Sequence, residues 1–284
     1  MPERITEFQR GSYVFDVIDS GPVSATEPGP DTGSPVVLLH GFPERADCWD
    51  AVTPLLNARG LRTVAPDQRG YSPGARPSKV RDYRISELAA DVIALVDALG
   101  AEKVHLVGHD WGAAVAWAVA ATYPDRIRSL TTLAVPHPGA YVRALPKGQL
   151  LRSWYMAVFQ IPKLPELALA TLSQSSRAPE FGPKGFLEKL RTDIIDYGAL
   201  TGGINWYRAL TFGNPSVLNR KITVPTTYLW SDGDIYLARA GARGCAAMVD
   251  APYDFIVLSG VDHWLPQRRP EAIADAITAR VAHS

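Results

Sequence analysis

Six short, unbroken runs of apolar residues recur along the chain and limit its fold more than any other feature. The runs are PVVLLHG, RTVAPD, VHLVGHD, LTTLAVP, TTYLW and DFIVLSG. Apolar segments of this length are typical of strands that are buried on both faces. Between the first four lie helical candidates, ADCWDAVTPLLNARG, ISELAADVIALVDALG and WGAAVAWAVAATYPDRI. This alternation predicts an α/β fold with a mostly parallel sheet flanked by helices.

The alternation stops after Pro136. Aromatic, amphipathic pieces separated by Pro and Gly follow from 139 to 213, without a clear strand. We therefore expect a helical cap at 139–213, inserted between strands of a core formed by 1–138 and 214–284. Near the N-terminus, apolar and polar residues alternate in GSYVFDVIDSG, as in an exposed strand or hairpin. The polar loop PVSATEPGPDTGS that follows is expected to serve only as a connector. PEAIADAITARVAH near the C-terminus predicts a final helix.

Composition narrows the functional classes. The chain has 29 basic and 29 acidic residues and a formal net charge of zero. This balance argues against binding to nucleic acid or to a charged membrane surface, and it favours a small neutral substrate. We expect a cytoplasmic location, because neither a signal region nor a run approaching the ~20 apolar residues of a membrane span is evident. Cys48 and Cys245 are expected to be structural, and no metal or cofactor is implied.

One stretch, VHLVGHDWGAAVAW, carries a catalytic pattern. Gly108 and Gly112 bracket Asp110 with the spacing of a nucleophile elbow, a sharp turn in which small residues flank the nucleophile. VHLV predicts the strand before the turn and AAVAWAVAA predicts the helix after it, which is the context that the motif requires. Asp110 is therefore the candidate nucleophile, at the position where such elbows usually carry serine.

A carboxylate at this position indicates a class of substrate. An exposed Asp, with an ordinary pKa of about 3.9, is ionised at neutral pH and needs no base before it attacks. A serine that attacked an alkyl carbon would form an ether with no carbonyl left to hydrolyse. A carboxylate forms an alkyl ester, which water can cleave at the carboxyl carbon through an oxyanion. Asp110 therefore predicts substrates with an electrophilic sp3 carbon, such as epoxides or alkyl halides.

The chain order nucleophile, acid, histidine expected of an α/β hydrolase is completed further along. SDGDIYLAR follows the predicted strand TTYLW, and VDHWLPQ follows the last predicted strand. We interpret His263 as the general base because it lies at a strand end beside loop residues. Asp234 is preferred to Asp232 as its orienting acid, and Asp262, the neighbour of the base, is not expected to reach back to the ring.

The motif HGFPE, residues 40–44, follows the predicted strand VVLL. It occupies the loop that usually donates one N–H group of the oxyanion hole. The predicted donors are the backbone amides of Phe42 and Trp111.

In order along the chain, HGFPE, DQRGYS, GHDWG, SDGD and DHW resemble the epoxide hydrolases of the α/β-hydrolase fold. The resemblance spans nearly the whole chain and implies a triad of Asp110, Asp234 and His263. It also implies two cap tyrosines that hold the epoxide oxygen: SWYMAVFQIP matches the first motif at Tyr155, and INWYRAL matches the second at Tyr207. A phenol with an ordinary pKa of about 10 can protonate the strongly basic alkoxide that ring opening produces.

Aromatic residues of the insertion, Phe212 among them, suggest an apolar cleft, so we expect a hydrophobic epoxide as substrate. The predicted substrate-binding residues are His40, Pro43, Trp154, Phe159 and Trp206. The expected product is a vicinal diol. Neither the individual epoxide nor the oligomeric state is indicated by the sequence.

Two other functions stay open. A haloalkane dehalogenase shares the Asp nucleophile and the DWG elbow, and that family also uses the Trp after the nucleophile to bind halide. It commonly has Asn at the position of Phe42, however, and does not use a tyrosine pair. A non-catalytic ligand-binding protein of the same fold would not need to keep nucleophile, acid, base and tyrosines together.

Overall fold

The computed structural model describes residues 3–23, 33–175, 182–213 and 215–284. Most of the predicted connector PVSATEPGPDTGS lies outside the described residues. The strands are β1 Glu7–Arg10, β2 Tyr13–Ser20, β3 Val36–Leu39, β4 Thr63–Pro66, β5 Val104–His109, β6 Ile127–Leu133, β7 Thr226–Ser231 and β8 Tyr253–Leu258. They form one sheet in the order β1-β2-β4-β3-β5-β6-β7-β8.

Pairing in the sheet is parallel from β4 to β8 and antiparallel where β2 joins β1 and β4. The structure thus confirms the predicted α/β fold with a mostly parallel sheet. Of the two alternatives for GSYVFDVIDSG, the strand is confirmed: it forms β2, which pairs with β1 across a turn that contains Gly11 with a φ of 61°. A positive φ at this turn suits glycine, which has no Cβ to clash with the backbone.

Helices cover both faces of the sheet. The α-helices are α1 Thr53–Asn57, α2 Ile85–Ala98, α3 Trp111–Thr122, α4 Pro138–Ala144, α5 Gln149–Arg152, α6 Trp154–Val158, α7 Leu164–Ser173, α8 Phe186–Lys189, α9 Leu200–Arg208, α10 Arg239–Gly244, α11 Leu265–Arg268 and α12 Pro270–Ala282. A π-helix spans Leu190–Asp196. Short 3-10 helices span Ala46–Trp49, Pro73–Ala75, Val80–Tyr83, Pro124–Arg126, Leu145–Lys147, Ala209–Phe212, Pro215–Asn219 and Cys245–Met248.

The central strands divide their side chains between two hydrophobic cores. In β3, Val37 and Leu39 pack with α2 and α3, whereas Val36 and Leu38 pack on the opposite face with α1 and α12. Successive side chains of a strand point to opposite faces, so a strand covered by helices on both sides must be apolar at every position. This geometry explains the unbroken apolar runs of the sequence.

The sixth run, DFIVLSG, departs from that prediction. It was expected to be buried on both faces, but β8 lies at the edge of the sheet and has no fully buried residue, with Val257 44% exposed. An edge strand has a neighbour on one side only, and here the covering helices leave part of it open to solvent. The expectation of full burial is wrong for this strand.

The chain between β6 and β7 is helical, with no strand among its described residues. Helix α9 packs closely on the loop after β4. Trp206 donates its indole N–H to the carbonyl of Arg69 at 2.8 Å. A Cβ on Gly202 would lie 2.3 Å from the carbonyl oxygen of Gly70, so a larger residue could not approach the loop in this way.

Arg69 is held in turn by a buried ion pair with helix α2. Its guanidinium donates two hydrogen bonds of 2.7 Å to the carboxylate of Asp91, and its side chain is 2% exposed. Arg10 of β1 adds a third bond to the same carboxylate at 2.9 Å. Three separate segments of the core thus meet at Asp91.

No helix in the part of the chain that the structure describes is long and apolar enough to cross a membrane.

We predict that Asp91→Ala lowers the free energy of unfolding by ~3–5 kcal/mol, because it leaves the Arg69 guanidinium buried without a counterion. The matched control is Asp97→Ala on the same helix. Asp97 is 62% exposed and pairs with Arg126 at the surface, so its loss should cost less than ~1 kcal/mol. Urea denaturation of both variants measures the difference, and equal losses would contradict the assignment.

Candidate active site

Asp110 is the single residue between the end of β5 and the start of α3. Its φ of 51° and ψ of −121° lie in a region that is strained for a residue other than glycine. A Cβ on Gly108 would lie 2.3 Å from the carbonyl oxygen of Gly112, and a Cβ on Gly112 would lie 2.2 Å from that of Leu39. The turn can therefore form only with glycine on both sides, as the elbow motif predicts.

The carboxylate of Asp110 faces the loop that carries HGFPE. The backbone N–H of Phe42 donates to Asp110 Oδ1 at 2.9 Å. A Cβ on Gly41 would lie 2.4 Å from the Cβ of Asp110, so the loop passes directly against the side chain. Trp111 is the first residue of α3, and the N–H groups of a first helical turn have no partner within the helix. The two predicted amide donors therefore belong to segments that meet at Asp110.

His263 lies between two carboxylates. Its Nε2 is 3.2 Å from Asp110 Oδ2, and its Nδ1 is 2.7 Å from Asp234 Oδ2. The other oxygen of Asp234 accepts the backbone N–H groups of Tyr236 and Leu237 at 2.7 and 3.0 Å. The structure thus brings together Asp110, Asp234 and His263.

The other candidate carboxylates point elsewhere. Asp232 accepts a hydrogen bond from the backbone N–H of Gly260 at 2.7 Å. Asp262 forms an ion pair with Arg268 at 2.7 Å. Of the three aspartates in these loops, Asp234 is the one hydrogen-bonded to the imidazole of His263.

Burial and charge act against each other on the pKa values of this site. Burial alone would raise the pKa of Asp110, but the hydrogen bond and charge of His263 outweigh it, so the Asp110 pKa lies below its ordinary value. Burial alone would lower the pKa of His263, but Asp234 and Asp110 together raise it well above its ordinary value. The two carboxylates therefore favour the protonated form of the imidazole, and the imidazole in turn favours the ionised form of Asp110.

Tyr155 on α6 and Tyr207 on α9 face the same region from the helical segment. Their ring centroids are 6.0 Å apart, and the ring of Tyr207 lies 4.9 Å from that of Trp111. Burial, and after it the negative charge of Asp110, raises the pKa of Tyr155 well above its ordinary value. The pKa of Tyr207 is raised in the same way, first by burial and then by its electrostatic coupling to Tyr155 and Asp110. Both phenols are protonated at neutral pH.

The site contains a cavity of about 360 Å³. Asp110, Tyr155 and Tyr207 contribute to its wall, and most of the remaining lining is apolar or aromatic, including Met156 and Leu237. A cavity of this size suits a small organic molecule. The arrangement combines an ionised carboxylate and two phenols on the wall of a largely apolar space, and the carboxylate is hydrogen-bonded to a histidine with its own orienting acid.

Comparison with known proteins agrees with this geometry. The family described as alpha/beta hydrolase fold matches residues 34–266. Epoxide hydrolase A of Mycobacterium tuberculosis is 32% identical, with 90% of this chain and 91% of the relative covered. An AB hydrolase superfamily protein of Bacillus subtilis is 34% identical, with 88% of this chain and 90% of the relative covered. The chain belongs to the α/β-hydrolase-fold epoxide hydrolases.

A solved structure supports the same membership. The crystal structure of epoxide hydrolase A from Mycobacterium thermoresistibile superposes on this hydrolase with a TM-score of 0.79 and 26% identity, and 96% of each chain is covered. The family, the fold and the enzyme class expected from the sequence motifs are thereby confirmed.

None of the five predicted substrate-binding residues is among those that line this cavity. Phe159 packs edge-on against the rings of Phe42 and Tyr207, with centroids 5.6 and 4.8 Å apart. Trp154 does not join them, because its side chain is 68% exposed. Consecutive helical residues point about 100° apart, so a helix that turns Tyr155 inward directs its neighbour outward.

Three other predicted positions also lie outside the lining of this cavity. Trp206 is buried against the core loop, as described above, and His40 is buried beside Gln68, whose backbone N–H donates to His40 Nε2 at 3.1 Å. Pro43 lines a separate cavity of about 220 Å³. Phe212, which suggested an apolar cleft, is 54% exposed. These residues are aromatic or close to a motif, but neither property determines which way a side chain points.

Sequence reasoning missed several residues that do line the cavity, among them Tyr141, Gln149 and Tyr236. Tyr236 could have been found, because it lies two residues after Asp234 in the loop SDGDIYLAR. The ring of Tyr236 packs edge-on against His263, with centroids 5.1 Å apart. Nothing in the local sequence distinguishes Gln149 from other polar residues of the helical segment.

Proposed function

We propose that the protein hydrolyses an apolar epoxide to a vicinal diol through a covalent alkyl ester on Asp110. The observation that carries the proposal is the pairing of an Asp nucleophile with phenols: the elbow carboxylate and the hydroxyl-bearing rings of Tyr155 and Tyr207 share one cavity. An ionised carboxylate can attack an epoxide carbon, and a phenol can protonate the oxygen that this attack releases.

In the first step, one carboxylate oxygen of Asp110 attacks a ring carbon and forms a C–O ester bond. The bond between that carbon and the epoxide oxygen breaks, and its electron pair stays on the oxygen. Tyr155 and Tyr207 donate hydrogen bonds to this oxygen, and one of them transfers its proton. The products are a neutral hydroxyalkyl ester and a phenolate. The phenolate regains a proton through solvent from the imidazolium of His263, which leaves the imidazole neutral.

The charge of Asp110 influences the pKa values of the groups around it. While Asp110 is ionised, its charge contributes to the raised pKa values of both tyrosines and of His263. Ester formation removes this charge. The tyrosines then become stronger acids as the alkoxide forms, and the imidazolium loses one of the two carboxylates that stabilise it. Alkylation of Asp110 therefore makes the tyrosines better proton donors for the first step. It also favours the neutral, basic form of His263 that the second step needs.

In the second step, His263 takes a proton from water as the water oxygen attacks the carboxyl carbon of the ester. The tetrahedral oxyanion accepts hydrogen bonds from the backbone N–H groups of Phe42 and Trp111. Collapse of this intermediate breaks the acyl C–O bond, and His263 returns the proton to the departing diol oxygen. The carboxylic acid formed on Asp110 then gives its proton to His263, which restores the resting site. Asp234 keeps the imidazole oriented and stabilises its positive charge.

We also propose that residues 139–213 act as a cap that supplies the tyrosines and excludes water from the cavity. Helices α6 and α9 carry Tyr155 and Tyr207 above the elbow. A dehalogenase would use the indole N–H of Trp111 for a halide ion. In this protein the ring of Trp111 packs edge-on against that of Tyr207, with centroids 4.9 Å apart, and the presence of the tyrosine pair beside it favours the epoxide.

The decisive test is His263→Gln, which should allow alkylation and block hydrolysis. Intact-protein mass spectrometry after addition of an aryl epoxide such as styrene oxide should show the protein plus one substrate. Peptide mapping should then locate the added mass at Asp110. The control is Asp110→Asn, which should gain no mass. Normal turnover by His263→Gln would exclude His263 as the base, and release of halide without diol from a haloalkane panel would favour the dehalogenase.

The tyrosines should act on ring opening alone. Tyr155→Phe or Tyr207→Phe should slow alkylation by about 10- to 100-fold, equivalent to ~1–3 kcal/mol, because the remaining phenol can still donate. The double variant should be nearly inactive on epoxides. Tyr197→Phe, outside the cavity on the same helical segment, is the matched control. Stopped-flow measurement of single turnovers separates the steps, and an unchanged double variant would reject the assignment.

The pKa directions predict how pH divides the two steps. Alkylation needs ionised Asp110, whose lowered pKa keeps it charged well into the acidic range. Hydrolysis needs neutral His263, whose pKa falls once Asp110 is esterified, so acid reprotonates the imidazole and stops this step first. Lowering the pH from about 8 to about 5 should therefore increase the alkylated fraction at steady state. Rapid-quench mass spectrometry measures that fraction, and a pH-independent fraction would contradict the scheme.

A further inference from the structure

A glutamine from the helical segment is paired with the loop that carries Asp234. Gln149, at the start of α5, is 1% exposed. Its Nε2 donates to the carbonyl of Tyr236 at 2.8 Å, and its Oε1 accepts the N–H of Ala238 at 2.7 Å. A group that bonds the carbonyl of one residue and the N–H two residues later reproduces the pairing of a parallel strand. The amide thus fixes the backbone of the loop on both sides of Leu237.

The backbone fixed by Gln149 is the same backbone that holds the carboxylate of Asp234. One oxygen of Asp234 is bonded to the N–H groups of Tyr236 and Leu237, and the other is bonded to His263. A displacement of these two amides would move the carboxylate with them. The position of the acid therefore depends on residues to which Gln149 is bonded directly.

Three further hydrogen bonds extend the connection. Arg152, also on α5, donates to the carbonyl of Asp234 at 2.6 Å. Nε2 of Gln149 also donates to the hydroxyl of Ser153 at 2.9 Å, and this hydroxyl lies 2.6 Å from that of Tyr141. Ser153 directly precedes α6, the helix that carries Tyr155. Helix α5 is thus bonded to the acid loop on one side and to the start of the tyrosine helix on the other.

Gln149 lines the cavity, but its hydrogen-bonding groups are committed to protein atoms. A primary amide has two N–H donors, and both are used here, one by Tyr236 and one by Ser153. The amide cannot donate to a substrate without releasing one of these partners. This commitment favours an action through the loop and not on the reacting atoms.

We propose that Gln149 is a positioning residue for hydrolysis of the alkyl ester, because it holds the loop that directs Asp234 at His263. The inference rests on the proposed roles of Asp110, Asp234 and His263. The base must point at a water molecule poised over the ester, and small misplacements of an orienting group have large kinetic effects. Attack of Asp110 on the epoxide requires no oriented base, so that step should not depend on Gln149.

The first experiment separates the two steps in Gln149→Leu, which removes the amide and keeps a side chain of similar size. Single turnovers with styrene oxide should show ester hydrolysis slowed about 10- to 100-fold and ester formation little changed. Gln174→Leu, the same substitution at an exposed position at the end of α7, should hydrolyse the ester at the wild-type rate. Equal slowing of both steps in Gln149→Leu would overturn the proposal.

A second arm tests whether the effect passes through Asp234. In an Asp234→Asn background, adding Gln149→Leu should slow hydrolysis little further, because the oriented acid is already absent. Full additivity of the two substitutions would contradict a positioning role. Gln149→Met also removes the amide and keeps an unbranched side chain of similar length, so it should slow hydrolysis to about the same extent as Gln149→Leu. This variant also provides the test if Gln149→Leu does not fold.

A third arm does not depend on turnover. The proton on His263 Nδ1, shared with Asp234, should give a low-field NMR resonance in the wild type and in Gln174→Leu, and this resonance should be weakened or lost in Gln149→Leu. An unchanged resonance would overturn the positioning role. If no epoxide alkylates the wild type, the proposed function fails, and the resonance still determines whether Gln149 holds Asp234 against His263.

Discussion

The negative charge on Asp110 is the feature on which the rest of the site depends. It is buried, and burial of a carboxylate is costly unless nearby groups stabilise its charge. His263 and the amide of Phe42 supply that stabilisation. The same charge contributes to the raised pKa values of Tyr155, Tyr207 and His263. In the proposed reaction, formation of the ester removes the charge and changes the proton affinity of all three groups at once.

The fold brings these groups together because the functional loops follow the carboxyl ends of neighbouring parallel strands. The loops after β3, β5, β7 and β8 carry Phe42, Asp110, Asp234 and His263, and these strands lie close together in the sheet order. The carboxyl ends of parallel strands meet at one edge of a sheet, so residues far apart in sequence become neighbours. The glycines of the elbow permit the sharp turn that exposes Asp110 at this edge.

The helical segment contributes more than a cover. It supplies two phenols to the cavity, and through Gln149 and Arg152 it is hydrogen-bonded to the loop of the proposed acid. Trp206 and Gly202 bring α9 onto the core loop that also carries Arg69, whose buried ion pair reaches α2 and β1. The proposed proton donors and the proposed base are therefore supported by one continuous network of contacts.

Much of the molecule could be predicted from the sequence, because the signals involved are local. Adjacent residues are enough to identify an apolar run that is covered on both faces. They are also enough to identify the strand-to-helix turn, which tolerates only glycine on either side of Asp110, and the motifs around Tyr155, Tyr207 and His263. The roles assigned to these site residues stay predictions.

Other features depend on contacts between distant segments, which no local pattern specifies. The edge position of β8 follows from strand order, and the outward direction of Trp154 follows from how α6 faces the core. The hydrogen bond of His263 to Asp234, with Asp232 turned to Gly260, is set by the path of two loops. The bonds of Gln149 to Tyr236 and Ala238 join residues more than eighty positions apart, so only the tertiary structure could reveal them.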